Sequence, residues 1–527
     1  MAEPIVLTEE LGGSPLSRAA RAGELAQWYQ PLPQDRDAWS HHASGVRASA
    51  PTDWLARLEP AFSPAGASGE RLRRAVDGAG VVVTTGQQPG LFGGPLMTFI
   101  KALTARALAD TLSELLDIPV APVFWAATDD ADFDEAAVVS IVGRDGAREL
   151  RLDARGRSGT PMARTLIGRE VNELAIALRE ACGSGPHPQY LEAAMESYRE
   201  GATVGGAYVA LLRHVLEPFE ISVVDASHAA VAEAAAPVLV RAARSAEALA
   251  SAVRERFDAI AAAGYTPQVE EVPGLSLVFL NEAGVKRRLP VREATSFGAT
   301  GPGQFLSATV LLRPVLERAL LPTVTYLGGP GEIAYFAQVS AVADALGVAR
   351  PMIGPRWSTT IVEPRVHRTL EELEITLEEL ATPHAAEGRL ARARTSPAIE
   401  SALRALRGDV SSDIDALRRA TDGLVPARAV DGVERSIAHR IARFERRVLA
   451  GVKRRELELM RTVDATRSAL FPYGSRQERK LSFIPLLARY GPALVDRMLD
   501  AARAHARGLV QGTPSIPAPV ASSPAAL

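Results

Sequence analysis

The chain has 527 residues, 47% of them hydrophobic and 23% charged, which suits roughly three or four domains of about 150 residues and excludes a disordered or fibrous protein. Its 59 Lys and Arg nearly balance 62 Asp and Glu, so no strong net field favours nucleic acid or an anionic membrane surface. The single cysteine, Cys182, excludes an intramolecular disulfide and a cysteine-rich zinc site. It closes a helical pattern, with His187 across a Gly-Pro turn, and reads as a structural residue. The opening residues lack the basic and apolar regions of a secretory signal, and no apolar run approaches the roughly 18–20 residues of a membrane span, so a cytoplasmic protein is expected.

In chain order, the β-branched run Val81–Thr85 reads as a buried strand that empties through Gly86, Gly90, Gly93 and Gly94 towards a helix opening at Pro95. Leu96, Phe99, Ile100, Leu103, Ala107, Leu108, Leu112 and Leu115 then recur at helical spacing, and a second apolar run, Pro119–Trp125, follows at once. Strand, helix and strand in close succession form a βαβ unit with parallel strands and a right-handed crossover. The expected fold class is therefore α/β: a Rossmann-like parallel-sheet core with inserted connecting domains and a helical coiled-coil arm. Further strands are expected at Ile221–Asp225, Leu275–Leu280 and Thr323–Leu327.

The expected organisation is an N-terminal segment with the first part of the core over 1–142, and a connecting region over 143–315 that includes a core strand near 221–225. The second part of the core covers 316–365, a coiled-coil arm 366–465 and a C-terminal helical segment 466–511. The Pro-, Ala- and Ser-rich stretch 512–527 reads as a disordered tail. The arm is read from Leu370, Leu373, Leu377 and Leu380, and from Val433, Ile437, Ile441, Phe444, Val448 and Val452, as two long helices broken near Gly423–Pro426.

Three constellations could carry chemistry. Gly86, Gln87, Gln88, Gly90, Gly93 and Gly94, with Lys101 about two turns into the helix, read as an anion-binding loop: glycines let backbone amides approach, and two side-chain amides offer neutral donors. The loop has neither the Walker ending nor the dinucleotide spacing. The acidic run Asp129, Asp130, Asp132, Asp134 and Glu135 follows the second strand, where open parallel sheets place ligands; Asp130 and Asp132 are candidate bases or ammonium-binding groups. A second strand, glycine turn and helix start offers Gly328, Gly329, Glu332, Tyr335 and Gln338 as a pocket wall. Arg313 and Arg356 are candidate clamps for a carboxylate or phosphate. The histidines lack ligand spacing, so no resident metal is expected, and no Gly-x-Ser-x-Gly elbow supports a serine hydrolase.

Taken together, Thr-Gly-Gln-Gln-Pro-Gly-Leu-Phe-Gly-Gly-Pro, Pro-Val-Phe-Trp-Ala-Ala with its acidic sequel, Leu-Leu-Arg-Pro-Val-Leu, Leu-Pro-Thr-Val-Thr-Tyr-Leu-Gly-Gly-Pro-Gly-Glu-Ile-Ala-Tyr-Phe-Ala-Gln and Phe-Pro-Tyr-Gly-Ser-Arg-Gln-Glu-Arg resemble the BshC family, the cysteine-adding enzymes of bacillithiol biosynthesis. The resemblance runs from about residue 80 to 480 and implies a core akin to class I nucleotidyltransferases, with a coiled coil that pairs two subunits into a homodimer. It implies joining the carboxyl of cysteine to the amine of glucosaminyl malate, with ATP as the activating cosubstrate and magnesium accompanying the nucleotide. No nucleic-acid or membrane partner is implied.

On that reading Asp130, Asp132, Gln87 and Gln88 are catalytic, while Gly86, Gly90, Gly93, Gly94 and Lys101 hold the nucleotide. Gly328, Gly329, Glu332, Tyr335, Gln338, Arg313 and Arg356 face the substrates. One departure stands out: where the family has Glu-Asp-His-Asp-Phe, this chain has Asp129-Asp130-Ala131-Asp132-Phe133, so a methyl replaces an imidazole. That leaves open a ligase or transferase for a different amine or amino acid, or a non-catalytic dimeric binding protein. The orientation of Arg476 and Arg479 is not readable from their spacing.

Overall fold

The computed structural model describes residues 3–143, 146–153, 158–298, 300–301 and 303–513. Most of the tail expected over 512–527 lies outside the described residues. The described residues divide into two compact units, one within 3–143, 148–363 and 476–513, the other within 146–147 and 364–475.

In the first unit, β1 (Val81–Gln87), α1 (Leu96–Leu116) and β2 (Val120–Ala126) form the expected βαβ element, followed by β3 (Ser222–Asp225). A smaller sheet is built from β4 (Leu275–Glu282), β5 (Val285–Pro290) and β6 (Phe305–Ala308). The chain re-enters the core through α2 (Arg313–Leu320), β7 (Thr323–Gly328), α3 (Pro330–Ala345) and β8 (Ile353–Pro355). The core sheet has the order β8-β7-β1-β2-β3, and every pair in it is parallel. The stretch 275–280 is a strand, as the sequence suggests, but it pairs antiparallel with β5 and β6 in the smaller sheet and not with the core.

The apolar strands are buried on both faces, as parallel sheets require. Successive side chains point to opposite layers: Val81 and Val83 join one core with Leu96, Phe99 and Leu103 of α1, while Val82 joins the other with Ile333, Phe336 and Val339 of α3. Helices therefore cover both faces. From β1 the chain first builds outward through β2 and β3, then returns to add β7 on the other side of β1. This reversal leaves a crevice between the carboxyl ends of β1 and β7, the usual ligand position in such sheets.

In the second unit, α4 (Pro397–Ala420) and α5 (Ala427–Arg455) form the expected hairpin, broken at residues 421–426. Arg418 bridges the two helices to Asp431 and Glu434 at 3.0 and 2.9 Å. The leucines at 370–380 do not continue α4. Leu370 sits on one short helix, Pro364–Glu372, Leu377 and Leu380 on another, Leu377–Ala381, and Leu373 in the turn between them, because Glu374 takes φ 50° and Thr376 opens a new helix through a reciprocal cap with Glu379. The helix Leu457–Leu470 also runs through the boundary placed at 465. Back in the first unit, α6 (Ile484–Val510) ends the described chain. Among the described residues no helix is long and apolar enough to cross a membrane.

Candidate active site

The crevice opens into a cleft of about 630 Å³. Gly86, Gln87 and Gln88 reach it from the end of β1, and Asp129, Asp130 and Ala131 from the end of β2. Gly329, Glu332 and Tyr335 enter from the start of α3, Arg313 from the start of α2, and Lys286 and Arg288 from β5. The glutamine and carboxylate segments thus border one space.

Its floor is a network of buried charges. The Lys101 ammonium, 2% exposed, donates to Gly86 O at 2.8 Å and Gln87 Oε1 at 3.0 Å, and pairs with Glu332 Oε2 at 2.5 Å. Glu332 also accepts from Tyr326 Oη at 2.6 Å and from the Gly329 amide at 2.7 Å. Burial alone would raise this carboxyl, but Lys101, the Gly329 amide and Tyr326 together hold it below the ordinary carboxylate range. Arg313 lies over the Tyr326 ring, 5.0 Å from its centroid, and bonds Glu317 at 2.9 Å; Thr84 donates to the same carboxylate.

The opposite wall is more open. Asp130 Oδ1 accepts from the amides of Ala131 at 2.6 Å and Asp132 at 3.1 Å. Burial nevertheless raises the Asp130 carboxyl, with the Asp129 charge adding to the rise and the amides and Lys286 opposing it. A raised carboxyl suits a group that takes up a proton. Lys286 bonds the Asp129 carbonyl at 2.6 Å and its carboxylate at 3.1 Å, and sits 4.9 Å from the centroid of the Phe279 ring.

Several expected site residues stand elsewhere. Gly90, Gly93 and Gly94 do not line the cleft. Tyr198 Oη donates to Gly90 O at 2.6 Å, the Gly93 and Gly94 amides close a turn onto Gly90 O and Leu91 O, and the first helical amide, Leu96, donates to Leu481 O at 2.7 Å. With those amides committed, the expected anion pocket at the start of α1 is corrected to a buried turn. Lys101 is present but its three N–H groups are spent on protein acceptors. Asp132 is exposed and caps the short helix Phe133–Ala136 through the Glu135 amide. Gly328 packs behind the site, where a Cβ would meet Ile353 Cδ1 at 2.8 Å.

Gln338 is fully buried away from the cleft and bonds both backbone groups of Val269, at 3.1 and 2.8 Å. Arg356 is likewise buried, its two terminal nitrogens held by Glu478 at 2.9 and 2.6 Å. Burial opposes ionisation of Glu478, yet Arg356 and Ser358 hold its carboxyl below the ordinary range. Segment 477–482 acts as a clasp: Glu478 holds Arg356, Leu481 caps α1, and Arg479 between them lines the cleft with no ion-pair partner among the described residues.

Lys286, Arg288, Trp125 and Tyr326 were not singled out by sequence reasoning. Isolated cations and core-like aromatics carry no periodic signal. Arg479 had one, its place in a stretch shared with the family, but no direction. Cys182 is 1% exposed, and burial pushes its thiol up to about 11, consistent with a structural role. Among the described residues no three His, Cys, Asp or Glu side chains are placed to hold a metal ion.

Residues 20–301 and 298–357 match the family described as "Bacillithiol biosynthesis BshC, N-terminal Rossmann-like domain", and residues 359–508 match "Bacillithiol biosynthesis BshC, C-terminal coiled-coil domain". Relatives carrying the name "Putative cysteine ligase BshC" include those of Koribacter versatilis, 33% identical over 90% of this chain and 89% of the relative, and Solibacter usitatus, 33% identical over 81% and 84%. The Heliobacterium modesticaldum relative is 30% identical over 82% and 83%. Two matched domains spanning nearly the whole sequence, together with relatives at 30–33% identity over most of both chains, place this chain in the BshC family.

Proposed function

We propose that this ligase joins the carboxyl of cysteine to the amine of glucosaminyl malate, forming bacillithiol, and that ATP activates the carboxyl. A free carboxylate does not form an amide in water without activation. In this reading a carboxylate oxygen attacks the α-phosphorus and pyrophosphate leaves; the amine nitrogen then attacks the acyl carbon and AMP leaves. The proton released by the amine passes to Asp130, whose raised carboxyl is suited to receive it.

The observation that carries this reading is the cleft at the switch point, which is lined together by Gln87, Gln88, Asp130 and Arg479, the last with no ion-pair partner among the described residues. Its volume and its donor-rich wall fit an oxygen-rich anion. Magnesium would arrive with the nucleotide phosphates. Arg479 and Arg288, not Arg356, are the cations available to acceptor carboxylates. Most of the acceleration would come from positioning and from fixed dipoles.

The test is purified protein with cysteine, glucosaminyl malate and ATP, read by mass spectrometry for bacillithiol and by nucleotide analysis for AMP. Product without ATP overturns the activation step; no product from folded protein overturns the substrate assignment. Ala131 on the cleft wall favours a second reading, a different amine acceptor, which a panel of amines distinguishes. Self-association through the α4–α5 hairpin is supported by Leu406, Leu417, Val433 and Phe444, each 42–54% exposed on it, and is tested by light scattering.

A further inference from the structure

An ammonium group has three N–H bonds and no lone pair, so each atom it meets must be an acceptor. Lys101 meets three: Gly86 O, Gln87 Oε1 and Glu332 Oε2. The Gln87 amide is therefore fixed in one sense, oxygen inward and NH₂ outward. Its nitrogen has no acceptor among the described residues, and Gln87 lines the cleft. Next to it, Gln88 Nε2 is buried and reaches no acceptor at hydrogen-bonding geometry among the described residues, although the amide lies near enough to Glu135 to offset part of that carboxyl's rise.

We infer that the Lys101–Glu332 ion pair is a polarity lock on Gln87, which presents its NH₂ as an uncharged donor to a ligand oxyanion, a carboxylate or phosphoryl oxygen. Lys101 is a positioning residue that never touches the ligand. Neutral donors favour an oxygen that gains charge during reaction without holding the resting anion as tightly as a cation would. This rests on the ligation reading above and names the group its cleft grips.

The test uses the full-length ¹⁵N-labelled protein titrated separately with ATP, cysteine and glucosaminyl malate. The Gln87 NH₂ signals are assigned by their loss in Gln87→Glu. They move with one ligand: with ATP if the oxygen is phosphoryl, with cysteine or glucosaminyl malate if it is a carboxylate. Gln87→Glu keeps the acceptor for Lys101 but removes the donor, and lowers kcat/KM on the order of 10²-fold at unchanged thermal midpoint.

The paired change Lys101→Met with Glu332→Gln releases the amide and shifts the Gln87 signals before any ligand is added; if that variant does not fold, Gln87→Glu and the titrations decide alone. Signals unmoved by all three ligands, or a folded Gln87→Glu with wild-type kcat/KM, overturn the inference. Moving signals in a protein that forms no amide product would leave it standing and remove the ligation instead.

Discussion

Two turns of this sheet look alike in sequence and differ in what they offer a ligand. Both carry a strand through glycines into a helix. After β1 the chain needs eight residues, Gln88–Pro95, and the glycines at 90, 93 and 94 are buried, with Gly90 O and the Gly93 and Gly94 amides bonded inside the protein. After β7 one residue, Gly329, separates strand from helix, and the start of α3 stands directly on the cleft. A glycine-rich turn borders a ligand cleft only where no other segment covers it, and that depends on residues far away in sequence, here Tyr198 and Leu481.

The comparison breaks most sharply at the clasp. Arg356→Ala strips a buried carboxylate of its bidentate partner and is expected to cost about 3–5 kcal/mol in urea unfolding, whereas replacing Arg356 and Glu478 together by Met and Leu costs far less. Gly93→Ala and Gly329→Ala then separate the turns. At Gly93, φ is 86° and a Cβ would lie 2.7 Å from Phe483 Cζ, so about 1–3 kcal/mol of stability is lost while turnover per folded molecule persists. At Gly329 the nearest atoms are 3.5 Å away, so stability changes by about 0.5 kcal/mol or less and the loss appears in KM or kcat.

Gln338→Leu leaves the two backbone groups of Val269 unpaired and costs about 1–2 kcal/mol in thermal unfolding with KM unchanged; a KM effect would return Gln338 to the substrate wall. The smallest effect is in pH. Because the folded-state Glu478 carboxyl lies below its ordinary value of 4.5, its contribution is complete above that pH and is lost as pH falls through the folded value. Glu478→Gln should flatten that part of the acid limb in urea titrations at a series of pH values.

The first βαβ unit was legible because both strands are continuous apolar runs and the helix between them keeps one period, signals that do not depend on partners. The hairpin was legible at Gly423–Pro426 for the same reason. The leucines at 370–380 misled because their spacing survives a chain break at Glu374, which only the backbone angle reveals. Within the site, Gln87, Gln88, Asp130, Glu332 and Tyr335 were readable from adjacent motifs. Gln338 and Arg356 were not, since each is claimed by a partner 69 or 122 residues away whose direction no local pattern encodes. Asp132 was mistaken for chemistry because N-caps and bases draw on the same residue type.

The clasp also sets an order of events on the ribosome. Strands β1, β2 and β7 are complete by Gly328, yet the amide that opens α1 and the guanidinium behind Gly329 find their partners only in residues 478–481, beyond the whole helical unit. Translation of 364–475 takes on the order of ten seconds, and throughout that interval the Arg356 guanidinium and the first amide of α1 lack these partners. The chain therefore closes this cleft only once residues 478–481 are made, later than the segment that forms the helical hairpin.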